Sequence, residues 1–125
     1  LYEFPWTLAN FRDSLRAGYA CWVIRESRGV IGYAVLMLAA GEAHLLNLSV
    51  AAPSQRRGHG RKLLHDILEV AREHKVKVLF LEVRPANAAG QRLYSGYGFR
   101  QIGVRRGYYP ARKGREDALV LALDL

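Results

Sequence analysis

Residues 47–68 constrain this chain more than any other stretch. Asn47-Leu48-Ser49-Val50 reads as an apolar strand, and Gln55-Arg56-Arg57-Gly58-His59-Gly60-Arg61 reads as a basic, glycine-bearing turn. Lys62-Leu63-Leu64-His65-Asp66-Ile67-Leu68 then opens an amphipathic helix. In that order the three pieces make an anion seat. Gly58 and Gly60 let backbone N–H groups approach a ligand, and the helix N-terminus behind them favours negative charge. Arg56, Arg57, Arg61 and Lys62 add mobile positive charge at the same point. A pyrophosphate is the natural guest. The glycine pattern alone is equally compatible with a plain tight connection into a helix. Two other phosphate seats fit poorly. A nucleoside-triphosphate loop wants Lys-Ser/Thr where Arg61-Lys62-Leu63 stands, and a dinucleotide seat wants a third glycine.

The remaining chain supplies a sheet for that helix to cover. Residues 7–17 carry Leu8, Phe11 and Leu15 on one helical face, with Thr7 as cap and Gly18 as stop. Residues 19–26, 30–38 and 43–50 alternate as strands between short turns, which predicts an antiparallel meander. The helix over 58–74 places Leu63, Leu64, Ile67, Leu68 and Ala71 at helical spacing. Residues 76–83 form a nearly continuous apolar strand, and the intervening helix predicts a parallel, right-handed crossover. A shorter helix over 87–97 and strands over 99–108 and 117–123 complete an α/β fold with a mixed, helix-flanked sheet. The 125 residues, half of them hydrophobic, suit one domain over residues 1–125.

Charge and cysteine content narrow the classes. The net charge of +8 calls for an anionic partner. The basic residues cluster at 56–62 and again at 105–115; a coenzyme with several phosphates accounts for the first cluster only. No apolar run reaches membrane-span length, and no secretory signal is visible. Cys21 is the single cysteine, which predicts a buried structural thiol and an intracellular, cytoplasmic setting. His44, His59, His65 and His74 show no metal-ligand spacing with one another or with Cys21. No serine has nucleophile-elbow glycines around it.

Glu82 interrupts the apolar run Leu79-Phe80-Leu81-Glu82-Val83. Two readings stay open for it. It is a functional carboxylate whose pKa rises on burial, or a strand-end residue paired with Arg84 or another arginine. Tyr94 reads as a core aromatic, and Asn87 as the cap of the short helix.

The glycine turn after an apolar strand resembles the acetyl-CoA seat of the GNAT superfamily of N-acetyltransferases. Further matching segments stand in order: Glu3-Phe4-Pro5-Trp6-Thr7, Leu45-Leu46-Asn47-Leu48-Ser49-Val50, Leu81-Glu82-Val83-Arg84, Asn87-Ala88-Ala89, Leu93-Tyr94, Gly98-Phe99, Arg105-Arg106-Gly107-Tyr108-Tyr109-Pro110 and Gly114-Arg115-Glu116-Asp117-Ala118. Together they resemble the RimI branch, bacterial enzymes that acetylate the N-terminal alanine of small-subunit ribosomal protein eighteen. The resemblance implies the same fold, with one further front strand that this chain lacks. It implies Glu82 as general base and Tyr94 as general acid. It places Leu48, Ser49 and Val50 along the acetyl and pantetheine arm of acetyl-CoA. Arg56, Arg57, Gly58, His59, Gly60 and Arg61 fall on its pyrophosphate, and Asn87 makes a further coenzyme contact. The residues themselves predict no metal, no membrane and no direct nucleic-acid binding, since the strands carry no aromatic RNA-stacking motif.

Two alternatives differ in kind. One is a GNAT enzyme acting on lysine or a small amine; the other is a non-catalytic basic module associated with RNA or the ribosome, favoured by the second basic cluster. A basic enzyme acting on a basic acceptor also predicts local acidic residues at the acceptor groove, with Glu42 and Glu116 as candidates.

Overall fold

The computed structural model describes residues 20–26, 29–51, 55 and 58–125; the helix expected over 7–17, together with Arg56 and Arg57, lies outside them. Three strands open the described chain: β1 (Ala20–Glu26), β2 (Gly29–Ala39) and β3 (Glu42–Val50). They pair antiparallel in sequence order, as the alternating pattern and short turns predict. Helix α1 (His59–Glu73) then crosses to β4 (Val78–Val83), which pairs with β3 in parallel. The crossover is required because a parallel neighbour cannot be reached through a hairpin. After α2 (Ala88–Gly96) the chain forms β5 (Arg100–Pro110) and β6 (Arg115–Asp124). Strand β6 inserts beside β4 and leaves β5 outermost, giving the order β1-β2-β3-β4-β6-β5.

The apolar face of α1 explains its position. Leu63, Leu64, Ile67, Leu68 and Ala71 are all buried. They form one core with Leu36 of β2, Leu45 of β3, Leu79 and Leu81 of β4, and Leu121 of β6. Burying one such side chain contributes about 1.5–3 kcal/mol, so this helix face and the sheet beneath it hold each other in place.

The sheet has one irregularity at its centre. The β3–β4 pairing runs from Glu42↔Val78 to Leu45↔Leu81 and stops there. Strand β3 continues to Val50 along β2, and β4 continues to Val83 along β6. The two central strands therefore part beyond Leu45 and Leu81. The cause lies in β3 itself. Val35 faces Asn47 while the next residue, Leu36, faces Leu45, so Leu46 is an extra, bulged residue. A bulge bends and twists its strand, and this one sits at the position where β3 leaves β4. Residues 47–50 are thereby held on one side by β2 and left unpaired with β4 on the other.

Candidate active site

Glu82 is the first residue of β4 beyond the last pair with β3, so it stands at the mouth of the gap. It is 9% exposed, and both carboxylate oxygens are engaged. His44 Nε2 lies 2.5 Å from Oε2, and Arg105 Nη1 donates to Oε1 at 3.1 Å. The Tyr108 hydroxyl lies near enough to this carboxylate for the two to shift each other's pKa. The parallel register explains the first contact. His44 lies opposite Phe80, which places it one step along the same face from Glu82.

These partners reverse the expectation of a raised pKa. Burial does push the Glu82 carboxyl up and is the largest single influence. The hydrogen bond and charge of His44, with the nearby Tyr108 hydroxyl and the Arg105 hydrogen bond, together outweigh it and leave the pKa below the ordinary 4.5. The alternative reading, pairing with an arginine, also holds, but the arginine is Arg105; Arg84 instead binds Glu116 at 2.7 Å. Tyr108 moves the other way. Burial, then the nearby Glu82 charge, raises its pKa, so its hydroxyl stays a donor at neutral pH.

Because the folded pKa of Glu82 lies below its unfolded value, its stabilising effect is fully present above pH 4.5 and is lost as pH falls through the folded pKa. Urea melts of the wild type between pH 7 and pH 3 should show stability dropping in the acid range. Glu82→Gln should flatten that drop; an unchanged slope would contradict the shift.

Beside the carboxylate lies a cavity of about 240 Å³ whose wall includes Met37, Glu42, His44, Phe80, Glu82 and Arg105. Of the two acidic residues expected at an acceptor groove, Glu42 is on this wall, whereas Glu116 is occupied by Arg84. The β5–β6 hairpin delivers Arg105 and Tyr108. Arg105 pairs with Ala118 and Tyr109 with Glu116, so residues 106–108 bulge out against Asp117. Asp117 accepts from the Gly107 N–H at 2.9 Å, and Arg115 donates to the carbonyls of Gly107 and Tyr108. The bulge is thus pinned from β6. Above it, Arg105 stacks on Tyr108, Tyr108 meets Tyr109 edge-on, and Arg84 stacks on Tyr109. Part of the second basic cluster is therefore structural.

On the helix side, Gly58 caps α1 in the left-handed conformation at φ 82°. A Cβ at Gly60 would lie 3.4 Å from Leu93 of α2 and 4.0 Å from Leu48 of β3. The Tyr97 hydroxyl donates to the Arg61 carbonyl at 3.2 Å. The start of α1, the free half of β3 and helix α2 therefore converge on one place. Of the sequence candidates, Leu48, Gly60 and Arg61 meet here. Ser49 is buried and donates to Asn47, Val50 is buried and its carbonyl accepts from Gln55, and His59 begins α1. Asn87 caps α2 as expected, accepting from Gly90 N–H at 2.9 Å. Tyr94 is buried on α2 against Phe99. Cys21 is half-buried, and burial raises its thiol pKa, which keeps it a poor nucleophile.

Gly58→Ala should destabilise the protein by about 1–2 kcal/mol, because a Cβ in the left-handed region meets the following carbonyl. Thermal unfolding checks this; an unshifted Tm would mean that the turn relaxes at no cost.

Comparison with known proteins fits this geometry. The acetyltransferase (GNAT) family profile matches residues 2–99. The chain belongs to the GNAT family. It is 35% identical over 124 residues to the [ribosomal protein bS18]-alanine N-acetyltransferase of Escherichia coli K12, covering 99% of this chain and 84% of that one. The enzyme of the same name from Haemophilus ducreyi is 34% identical over 122 residues, covering 97% and 84%. The crystal structure of the ribosomal-protein-S18-alanine N-acetyltransferase from Escherichia coli superposes with TM-score 0.86, covering 98% of this chain and 79% of that one. The six-stranded mixed sheet with its parallel crossover is therefore a GNAT sheet.

Sequence reasoning missed three members of the site. His44 appeared only in a search for metal spacing, Tyr108 only in a family-matching segment, and Arg105 only there and as the start of the second basic cluster. No local signal marks them, because each reaches Glu82 through strand register. Among the described residues, no helix is long and apolar enough to cross a membrane.

Proposed function

We propose that this protein is a RimI-type N-terminal acetyltransferase. It moves the acetyl group of acetyl-CoA to the α-amine of an N-terminal alanine, with small-subunit ribosomal protein eighteen as acceptor. The observation that carries this reading is the parting of β3 from β4 with Glu82 at its mouth. Such a gap offers strand backbone to the acetyl donor and a carboxylate to the amine, from two sides of one opening.

Each residue then has a task. The turn at Gly58, His59, Gly60 and Arg61, with Arg56 and Arg57, holds the pyrophosphate; Gly60 lacks a side chain where Leu48 and Leu93 approach. Leu48, Ser49 and Val50 present backbone along the pantetheine arm, and an N–H there stabilises the developing oxyanion. Asn87 adds a coenzyme contact at the start of α2. Glu82, directly or through a water, takes a proton from the acceptor ammonium. Tyr94 hydrogen-bonds or protonates the departing thiolate. The same resemblance takes residues 1–125 as one catalytic domain working in the cytoplasm.

The low basicity of Glu82 bears on the acceptor. An α-amine titrates at about 7.7–8.0 and a lysine at about 10.4, so a weak carboxylate base is better matched to the α-amine by roughly 3–4 kcal/mol. This favours an N-terminus over lysine. The RNA-module alternative loses support because Arg105 and Arg115 are bonded within the protein rather than offered to phosphate.

The test uses acetyl-CoA with an alanine-starting, arginine-rich peptide and an N-terminally blocked, lysine-containing control, read by mass spectrometry. Acetyl on the alanine amine, absent after blocking, is expected. Acetyl on lysine would replace the acceptor assignment, and an absence of coenzyme binding would overturn the enzyme reading.

A further inference from the structure

The proposed mechanism leaves His44 without a task, although it makes the closest polar contact to the proposed base. Its Nε2 lies 2.5 Å from Glu82 Oε2, and both residues line the same 240 Å³ cavity. The imidazole is partly exposed at 24%, whereas the carboxylate side chain is 5% exposed. One partner is therefore buried and fixed, while the other reaches both the cavity and solvent.

We propose that His44 and Glu82 form a carboxylate–imidazole dyad, in which the proton removed from the acceptor comes to rest on His44. The proposal rests on the acetyltransferase reading above and assigns a residue within it. Three features support it. A free glutamic acid titrates at about 4.3, more than three units below an α-ammonium. Alone it is a poor resting place for the proton. Imidazoles titrate between carboxylates and α-amines, which suits them to hold a proton briefly and release it. Arg105 occupies the other oxygen, which leaves Oε2 for the imidazole. An ionised Glu82 against an imidazolium is then a charge-assisted pair rather than a buried lone charge.

One N–H proton leaves the acceptor ammonium for the dyad, where it rests on His44 and later passes to water. The neutral nitrogen attacks the thioester carbon; its C–N bond forms, the C–S bond breaks, and the second nitrogen proton lost balances the proton gained by the thiol. Among the described residues, the charged or titratable groups around the dyad are Glu42 of β3 on the cavity wall, with Arg105 of β5 bound to Glu82 and Tyr108 of β5 near it. Met37 pairs with His44 from β2, and Val120 pairs with Glu82 from β6; neither carries charge.

His44→Gln keeps an N–H that can reach Glu82 but accepts no proton, and His44→Ala removes the ring. Both are assayed on the full chain for kcat and KM across pH 5.5–9, with added imidazole. Both variants are expected to lose about 10²-fold in kcat with the KM for acetyl-CoA unchanged. The acidic limb of the kcat profile should move to lower pH, and imidazole should partly restore His44→Ala. Wild-type kcat and an unmoved limb in His44→Gln would overturn the dyad and leave His44 as packing. Should the variants not fold, ¹⁵N shifts of His44 in the wild type decide: protonation on adding peptide with CoA supports the dyad, and unchanged shifts overturn it. A wild type that binds acetyl-CoA and acetylates neither peptide would instead remove the N-terminal reading, and the dyad with it.

Discussion

Glu82→Gln is expected to lower kcat for the alanine-starting peptide by about 10²–10⁴-fold, the range general acid–base groups supply. Glutamine preserves the shape at the mouth of the gap, and its single carbonyl oxygen can still accept from Arg105 while its amide NH2 faces His44. What it loses is the negative charge and the lone pair that takes a proton. Affinity for CoA should be unchanged, because the coenzyme contacts proposed here come from the α1 turn, the free half of β3 and Asn87. Thiol release followed under saturating acetyl-CoA gives kcat, and calorimetric titration with CoA gives the affinity. A variant within about tenfold of wild type would mean that a different group, or water alone, receives the proton. Lost CoA binding would show that Glu82 supports the fold of the gap rather than the chemistry.

The largest stability effect is expected at Leu64→Ala. Leu64 is 0% exposed, on the face of α1 that covers the sheet. Truncation removes its transfer free energy and leaves a void that the surrounding leucines fill only partly. Leucine-to-alanine changes in cores cost about 2–5 kcal/mol, and this site belongs near the upper end because strand residues on a paired sheet cannot close in. The thermal midpoint should fall by about 10 °C or more. Because α1 also presents the glycine turn, acetyl-CoA at saturating concentration should recover part of the loss. A fall of only a few degrees would mean that the helix shifts to refill the space.

Much of the fold is legible in the sequence, for physical reasons. The five buried residues of α1 follow helical spacing, and the meander strands alternate between turn residues. Asn87 caps α2 because its side chain is the right length to reach the Gly90 amide. Strand ends are less visible: β6 begins at Arg115 rather than 117, since pairing with Pro110 extends it beyond its apolar run. Within the site, Glu82 stands out as a charge in an apolar strand. The direction of its pKa does not. That depends on His44, 38 residues earlier, and Arg105, 23 residues later, which are brought together by register. Nothing local encodes the parting of β3 from β4 either, because Leu46 is an ordinary strand residue by type and only its count makes it a bulge.

The opening between the central strands coincides with arithmetic along the backbone, one residue too many on β3. Losing or gaining a single residue there would shift the seam. A change of length is expected to disturb this seam more than a change of side chain.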